Sequence, residues 1–291
     1  MQCLLQRAKP FFMMAKVERA YTLMKKIYLN LKRFDVLPRF GGINHVGEKE
    51  EYGASIVAGI EAMKLPLPIT IFFQESNLLS ALSKAKSVTI GCQSVHDQDV
   101  APGGNFGAFT SFRSAKAMKG IGVNATIIGH CEERAYLNRL KNQFGGQGDV
   151  SDILNQEVKR AQEAGLKVLF CIGEKSEEQE RKYEVLRSQI EKGLAGVDLS
   201  SVAIAYEPVW AIGPGKIPPD RPYIEDIARF IKSIAPVDVV YGGGLKEENA
   251  EMISSIPEVD GGLIALTRFG KDFGFYLSDF EKIVKLYGGL L

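Results

Sequence analysis

The sequence predicts an α/β protein built as a single (β/α)8 barrel. Short apolar segments rich in strand-forming residues alternate with longer segments of helical period, and eight strand candidates occur along the chain. Glycines cluster directly after several of these segments, and no Pro- or Ser-rich linker divides the chain. Eight strand–helix units over about 265 residues fit one closed barrel better than two separate domains.

The strand candidates follow one another at regular intervals. In chain order they are Ile27–Leu31, Ile69–Phe73, Val88–Gln93, Ala125–Ile128, Lys167–Ile172, Val202–Ala205, Val239–Tyr241 and Gly262–Ile264. Helical period is clearest over Asp152–Ala164 and over Tyr223–Ile234. Residues 1–23 have helical composition but no clear partner face. We therefore predict an N-terminal extension over 1–23 and the barrel over 24–291, with a helix packed outside the fold as the alternative for the extension.

Composition narrows the class of protein. The 291 residues are 45% hydrophobic and 24% charged with a net charge of +1, which excludes disordered and collagen-like chains and gives no overall field for nucleic acid or anionic membranes. The four cysteines form neither a CxxC pair nor a short disulfide framework, so we expect a cytoplasmic protein. No run of 18 apolar residues occurs, so no membrane association is expected.

A carboxylate stands at the end of the sixth strand candidate. Glu207 is followed by Pro208, Val209, the only tryptophan, Trp210, and a Gly-Pro-Gly tip that ends before Lys216. In a barrel this carboxylate would lie at the mouth, beside a loop able to close over it and exclude water. The segment therefore predicts a general base with a lid. A strand-end Glu that pairs with a neighbouring Lys is the structural alternative.

A histidine and a lysine stand at the ends of two further strands, where one can donate a proton and the other can attract negative charge. His130 lies between the fourth strand and the next helix, where the helix N-terminus disfavours imidazolium and favours a neutral ring that can donate to a carbonyl oxygen. Lys32 ends the first strand, where it can attract an anionic substrate or an oxyanion. A helix cap and a solvated lysine are the respective alternatives. His45 and His96 lie in polar loops.

Taken together and in order, these motifs resemble the triosephosphate isomerase family and its TIM barrel. The resemblance runs from Asn30-Leu31-Lys32 through Gly129-His130-Cys131-Glu132 to the specific string Tyr206–Gly213 and on to Tyr241–Gly244. It implies an aldose–ketose isomerase in which Glu207 moves the proton next to the carbonyl, His130 polarises that carbonyl and Lys32 stabilises negative charge. Asn30 and Glu132 match supporting positions, and neither a cofactor nor a metal is implied.

The match departs from the family where the substrate phosphate is bound. The family uses backbone amides of the lid, of the loop after strand 7 and of a Gly-Gly pair after strand 8. The first two persist as Gly213 and as Gly243-Gly244, but the Gly-Gly pair is replaced by Ala265-Leu266. One interpretation is that the phosphate shifts and that Thr267 or Arg268 supplies compensating contacts, since an arginine suits bidentate phosphate binding. A different sugar phosphate, or a substrate without phosphate, is the alternative.

The resemblance makes interconversion of D-glyceraldehyde 3-phosphate and dihydroxyacetone phosphate the leading prediction. An isomerase of another small sugar phosphate and a non-catalytic metabolite-binding barrel are the rivals. Thr110 matches the tip of the family's interlocking loop, so a homodimer is expected, although an extra polar stretch at 95–104 could change the assembly.

Overall fold

The computed structural model describes residues 25–46, 51–213, 215–270 and 272–290. The predicted extension, 1–23, lies outside them. Eight strands form one closed parallel barrel in the order β1-β2-β3-β4-β5-β6-β7-β8, with β8 pairing back onto β1. The strands are β1 (Lys26–Asn30), β2 (Ile69–Phe73), β3 (Thr89–Gln93), β4 (Ala125–Ile128), β5 (Lys167–Ile172), β6 (Val202–Tyr206), β7 (Asp238–Tyr241) and β8 (Gly261–Ile264).

Helices follow the strands on the outside of the barrel. They are α1 (Tyr52–Ala62), α2 (Leu78–Leu82), α3 (Ala115–Gly120), α4 (Cys131–Gln143), α5 (Val150–Glu163), α6 (Lys182–Gly193), α7 (Arg221–Ile234), α8 (Ala250–Ser254) and α9 (Leu277–Tyr287). The two helices predicted from periodicity are α5 and α7, each beginning two residues earlier than expected because Asp149 and Asp220 act as N-caps. None of the helices in the described ranges is long and apolar enough to cross a bilayer.

The apolar core has two layers. The larger layer lies between the strands and the helices, and includes Ile71, Val168 and Ile227, each at most 2% exposed. A smaller cluster fills the inside of the barrel with Phe72, Leu169 and other inward-facing side chains. This packed interior leaves the carboxyl ends of the strands as the place where a ligand can enter.

Candidate active site

The carboxyl ends of the strands surround a cavity of about 290 Å³ that collects most of the predicted site residues. A larger groove of about 680 Å³ beside α4, α5 and α6 contains none of Lys32, His130 and Glu207. The predicted residues that line the smaller cavity are Asn30, Lys32, His130, Glu132, Glu207, Gly213, Gly243, Gly244, Ala265 and Leu266.

Glu207 follows β6 directly and points into this cavity. Its N–H donates to the carbonyl of Ile172 at 2.8 Å, so the strand pairing with β5 continues up to the residue itself. The residue is only 2% exposed. One carboxylate oxygen, Oε2, accepts from the backbone N–H of Cys131 at 2.9 Å, and Oε1 lies 3.1 Å from Nε2 of His130. The carboxylate is thus held at both oxygens by groups from the β4–α4 turn.

His130 is the N-cap of α4, and this position fixes which ring nitrogen carries the proton. Its Nδ1 accepts from the backbone N–H of Glu132 at 3.3 Å. In a neutral ring the proton is then on Nε2, which donates to Glu207. A neutral ring in this arrangement offers its Nε2–H to the cavity.

Three residues hold the turn before His130, namely Gly129, Glu133 and Arg134. The sequence did not identify them as positioning residues. Gly129 has a φ of +78°, and a Cβ there would lie 2.9 Å from the carbonyl oxygen of Cys171, so only glycine fits. Its N–H donates to Glu133 at 2.6 Å, and its carbonyl accepts from the buried Arg134 at 2.9 Å. Arg134 also donates through Nη2 to the carbonyl of Cys171 in β5 at 2.9 Å, a contact that only the folded structure shows.

Lys32 has an unusual backbone for a side-chain-bearing residue, with a φ of +43°. The side chain of Asn30 accepts the Lys32 N–H at 3.1 Å, and Gln93 donates to the Lys32 carbonyl at 3.1 Å, so two amides hold this conformation. The ammonium donates to Glu132 at 2.7 Å. Burial opposes ionisation of Glu132, but this hydrogen bond and the charge of Lys32 bring the Glu132 pKa below its usual value. Asn30 and Glu132 are therefore both hydrogen-bonded to Lys32.

One group of metal-ligating side chains exists in the described part of the chain. Ligand atoms of His130, Cys131 and Glu207 lie within 4.8 Å of one another. Both nitrogens of His130 already have partners, and burial, followed by the charge of Glu207, raises the pKa of the Cys131 thiol to about 12. A metal would have to displace the helix cap or the imidazole proton and also a thiol proton, so the group is poorly suited to a metal.

Comparison with known proteins identifies the family of this chain. The family model described as triosephosphate isomerase matches residues 44–285. A triosephosphate isomerase from Geobacter metallireducens is 40% identical over 173 residues, which are 54% of this chain and 64% of that protein. A triosephosphate isomerase from Parasynechococcus marenigrum is 30% identical over 243 residues, which are 81% of this chain and 93% of that protein.

A solved structure of triosephosphate isomerase from Bartonella henselae superposes with a TM-score of 0.67 at 27% identity, covering 91% of this chain and 99% of that one. The chain belongs to the triosephosphate isomerase family. It is therefore an aldose–ketose isomerase by family, built on a TIM barrel.

The loops that are predicted to bind phosphate in this triosephosphate isomerase family member keep their backbone donors. Gly243 and Gly244 follow β7, and Ala265 and Leu266 follow β8. Within the described ranges, none of these four N–H groups donates to a protein acceptor. Gly213 is exposed at the tip of the lid, with a φ of +118°. The replacement of the family's Gly-Gly pair therefore leaves the N–H groups in place.

Arg268 does not stand where the sequence placed it. Its guanidinium donates to Asp279 through Nε at 2.6 Å and Nη2 at 3.0 Å, and its Cζ lies 3.9 Å from the ring centre of Tyr276. The residue does not line the cavity. The expectation that Arg268 compensates for the missing glycines is wrong in this geometry, because the β8–α9 loop directs the side chain towards α9.

The lid is tied to the barrel by a buried carboxylate. Pro208 is buried and Val209–Ala211 forms a 3-10 turn. Trp210 Nε1 donates to Oε1 of Glu174 at 2.7 Å, and the same oxygen accepts from Tyr206 at 2.8 Å and Tyr223 at 3.0 Å. Glu174 follows the Cys171-Ile172-Gly173 motif, but the sequence alone did not identify it as the anchor.

Not every lid residue reaches the cavity. Ala211, Ile212 and Gly213 line it, whereas Pro208, Val209 and Trp210 do not, and Lys216 is exposed outside it. The Lys216 N–H donates to the carbonyl of Gly213 at 3.3 Å. The predicted lid segment is thus present as a loop, but its cavity-facing part is its middle.

Proposed function

We propose that this chain interconverts D-glyceraldehyde 3-phosphate and dihydroxyacetone phosphate through an enediol or enediolate. The observation that carries the proposal is the contact between the Glu207 carboxylate and Nε2 of His130. These atoms lie 3.1 Å apart in the cavity that Lys32 also lines. A base, a neutral proton donor and a cation are what proton transfer next to a carbonyl requires.

Each group has a distinct task in this reaction. Glu207 takes the proton from the carbon next to the carbonyl and returns it to the neighbouring carbon. His130 donates its Nε2–H to the carbonyl oxygen and moves protons between the two oxygens, while Lys32 stabilises the negative charge that develops there. Because Glu207 and His130 bond to each other here, a substrate must separate them by inserting its own oxygen and C–H group between them.

The phosphate of the substrate would bind at the opposite side of the cavity. The free N–H groups after β7 and β8, with that of Gly213 in the lid, can surround an anion. Closing the lid would exclude water from the reacting atoms and strengthen the electrostatic contacts with the enediolate. Backbone donors make this site compatible with Ala265 and Leu266.

An assay of purified protein with triose phosphates tests the proposal, with Glu207→Gln as the variant. We expect robust turnover by the wild type and a loss of about 10²- to 10⁴-fold in kcat for the variant. Glu251→Gln, which alters an exposed carboxylate on α8, is the matched control and should retain wild-type kcat.

The rival functions give different results in the same assay. Turnover of a longer sugar phosphate instead of triose phosphates would identify an isomerase with another substrate. Binding of a phosphorylated metabolite with no turnover of any would favour a non-catalytic barrel. Either result would overturn the proposed reaction.

We also propose a cytoplasmic homodimer. Three cysteines in the described ranges, Cys92, Cys131 and Cys171, are free thiols, which suits a reducing compartment. The segment that contains Thr110 carries the aromatic side chains Phe106 and Phe112, which are 88% and 59% exposed. Such side chains favour a protein interface. Light scattering should give twice the 32.0 kDa chain mass, and a monomer would contradict the proposal.

A further inference from the structure

A lysine that the sequence analysis did not single out lies at the phosphate end of the cavity. Lys246 follows β7 by five residues, is half-buried and lines the same cavity as Gly243, Gly244 and Leu266. Asn249 fixes this turn, since its side chain accepts the Lys246 N–H at 2.8 Å and donates to the carbonyl of Gly244 at 3.1 Å. The backbone of Lys246 is therefore held in place.

The side chain of Lys246 runs back across the phosphate end. A Cβ built on Gly244 would lie 3.7 Å from Lys246 Cε, so the aliphatic chain passes over that glycine. The ammonium then sits 3.9 Å from the ring centre of Phe269, which follows β8. It thus lies between the β7 and β8 loops, which carry the free N–H groups.

The charge of Lys246 differs from that of the other nearby cations. Lys32 pairs with Glu132, and Arg268 is held by both oxygens of Asp279. Across the described ranges, Lys246 Nζ has no carboxylate within 4.0 Å and donates no hydrogen bond to the protein. Its contact with Phe269 is a cation–π interaction, which is weaker than a charge-assisted hydrogen bond. The ammonium is available to an anion.

We infer that Lys246 binds the phosphate group of the substrate. It would supply a charge-assisted hydrogen bond to a phosphomonoester dianion whose other oxygens accept from backbone N–H groups of the β7 and β8 loops. Lys246 takes the role that the sequence had suggested for Arg268. That the ligand is a triose phosphate rests on the proposed function, whereas the binding of a phosphate dianion does not.

The test compares Lys246→Met with Arg268→Met, because both remove a cation near β8 and keep an aliphatic side chain. Inorganic phosphate is the probe for direct binding by calorimetry, and KM and kcat are measured with glyceraldehyde 3-phosphate. We expect Lys246→Met to raise both the phosphate Kd and the KM roughly 10- to 100-fold, the loss expected for a hydrogen bond to a charged group. Its kcat should change much less than its KM.

The control variants separate binding from structure. Arg268→Met should keep the phosphate Kd and KM within about twofold of wild type, and Lys246→Arg should recover most of the affinity because it restores the positive charge. An unchanged phosphate Kd in Lys246→Met would overturn the inference, and so would an equal loss in Arg268→Met. If the wild type binds phosphate through Lys246 but does not turn over triose phosphates, the proposed function fails and this inference stands.

Discussion

Gly242 shows how closely the barrel packs against the proposed base. A Cβ built on Gly242 would lie 2.9 Å from Glu207 Cγ and 2.9 Å from the carbonyl oxygen of Tyr206. That carbonyl accepts the Gly242 N–H at 2.7 Å, so it belongs to the pairing of β6 with β7 and cannot move alone. The Glu207 side chain must therefore yield in Gly242→Ala.

The size of the displacement follows from ordinary contact distances. Carbon atoms pack at about 3.5–4.0 Å, so Glu207 has to retreat by roughly 0.6–1 Å. A misplacement of about 1 Å at reacting groups lowers the rate on the order of 10²-fold. Overpacking of this kind also costs about 1–3 kcal/mol of stability. We expect Gly242→Ala to lower kcat about 100-fold and to lower Tm by several degrees.

The assay pairs steady-state isomerase kinetics with thermal unfolding. Gly120→Ala is the matched control, because a Cβ there meets nothing within 4 Å and Gly120 is the exposed last residue of α3 and does not line the cavity. It should keep kcat unchanged and leave Tm equal or slightly higher. A Gly242→Ala protein that unfolds earlier but retains full kcat would show that the position of Glu207 does not limit the reaction, and would refute the argument.

Two further predictions concern buried carboxylates. Trp210→Phe removes one of the three donors to the fully buried Glu174, and should lower the free energy of unfolding by about 1–3 kcal/mol in denaturant titrations. Tyr183→Phe, which removes an exposed bond to a carboxylate, should cost far less, and equal losses would contradict the role of burial. Burial, followed by the charge of Glu133, raises the pKa of Glu157 to about 9, so the folded chain retains a proton that the unfolded chain releases above its ordinary pKa of 4.5. Wild-type stability should therefore fall as pH rises from about 5 to 9, and the Tm advantage of Glu157→Gln should grow over that range; a constant or shrinking difference in thermal scans would contradict this.

The fold was largely predictable because its signals are local. All eight strands lie within one residue of the predicted ends, since each is a short apolar run closed by a polar or glycine-rich loop. The catalytic candidates could also be found in the sequence. Lys32, His130 and Glu207 follow strand ends, and a barrel brings such positions together. Alternation along the chain thus predicts both the barrel and the location of its mouth.

The supporting contacts could not be predicted from the sequence, because they depend on the directions of side chains from loops that are distant along the chain. Arg134 reaches the carbonyl of Cys171, 37 residues away, and Glu174 gathers donors from β6, the lid and α7. Arg268 and Lys246 are both cations near the missing glycines in space, but only one of them enters the cavity. Composition and spacing cannot distinguish Arg268, whose guanidinium binds a carboxylate of α9, from Lys246, which lines the cavity.

The loss of two glycines after β8 has a different meaning once these directions are known. Neither Ala265 nor Leu266 adopts a positive φ, so their side chains fit without backbone strain and their N–H groups stay free. What the substitution changes is the lining of the cavity, where Leu266 adds apolar surface beside Phe269, the ring that contacts the Lys246 ammonium. Apolar walls reduce the solvent screening of a charge, so one lysine in this setting attracts a phosphate more strongly than it would in open water. The departure that most weakened the case for a phosphorylated substrate is therefore compatible with one.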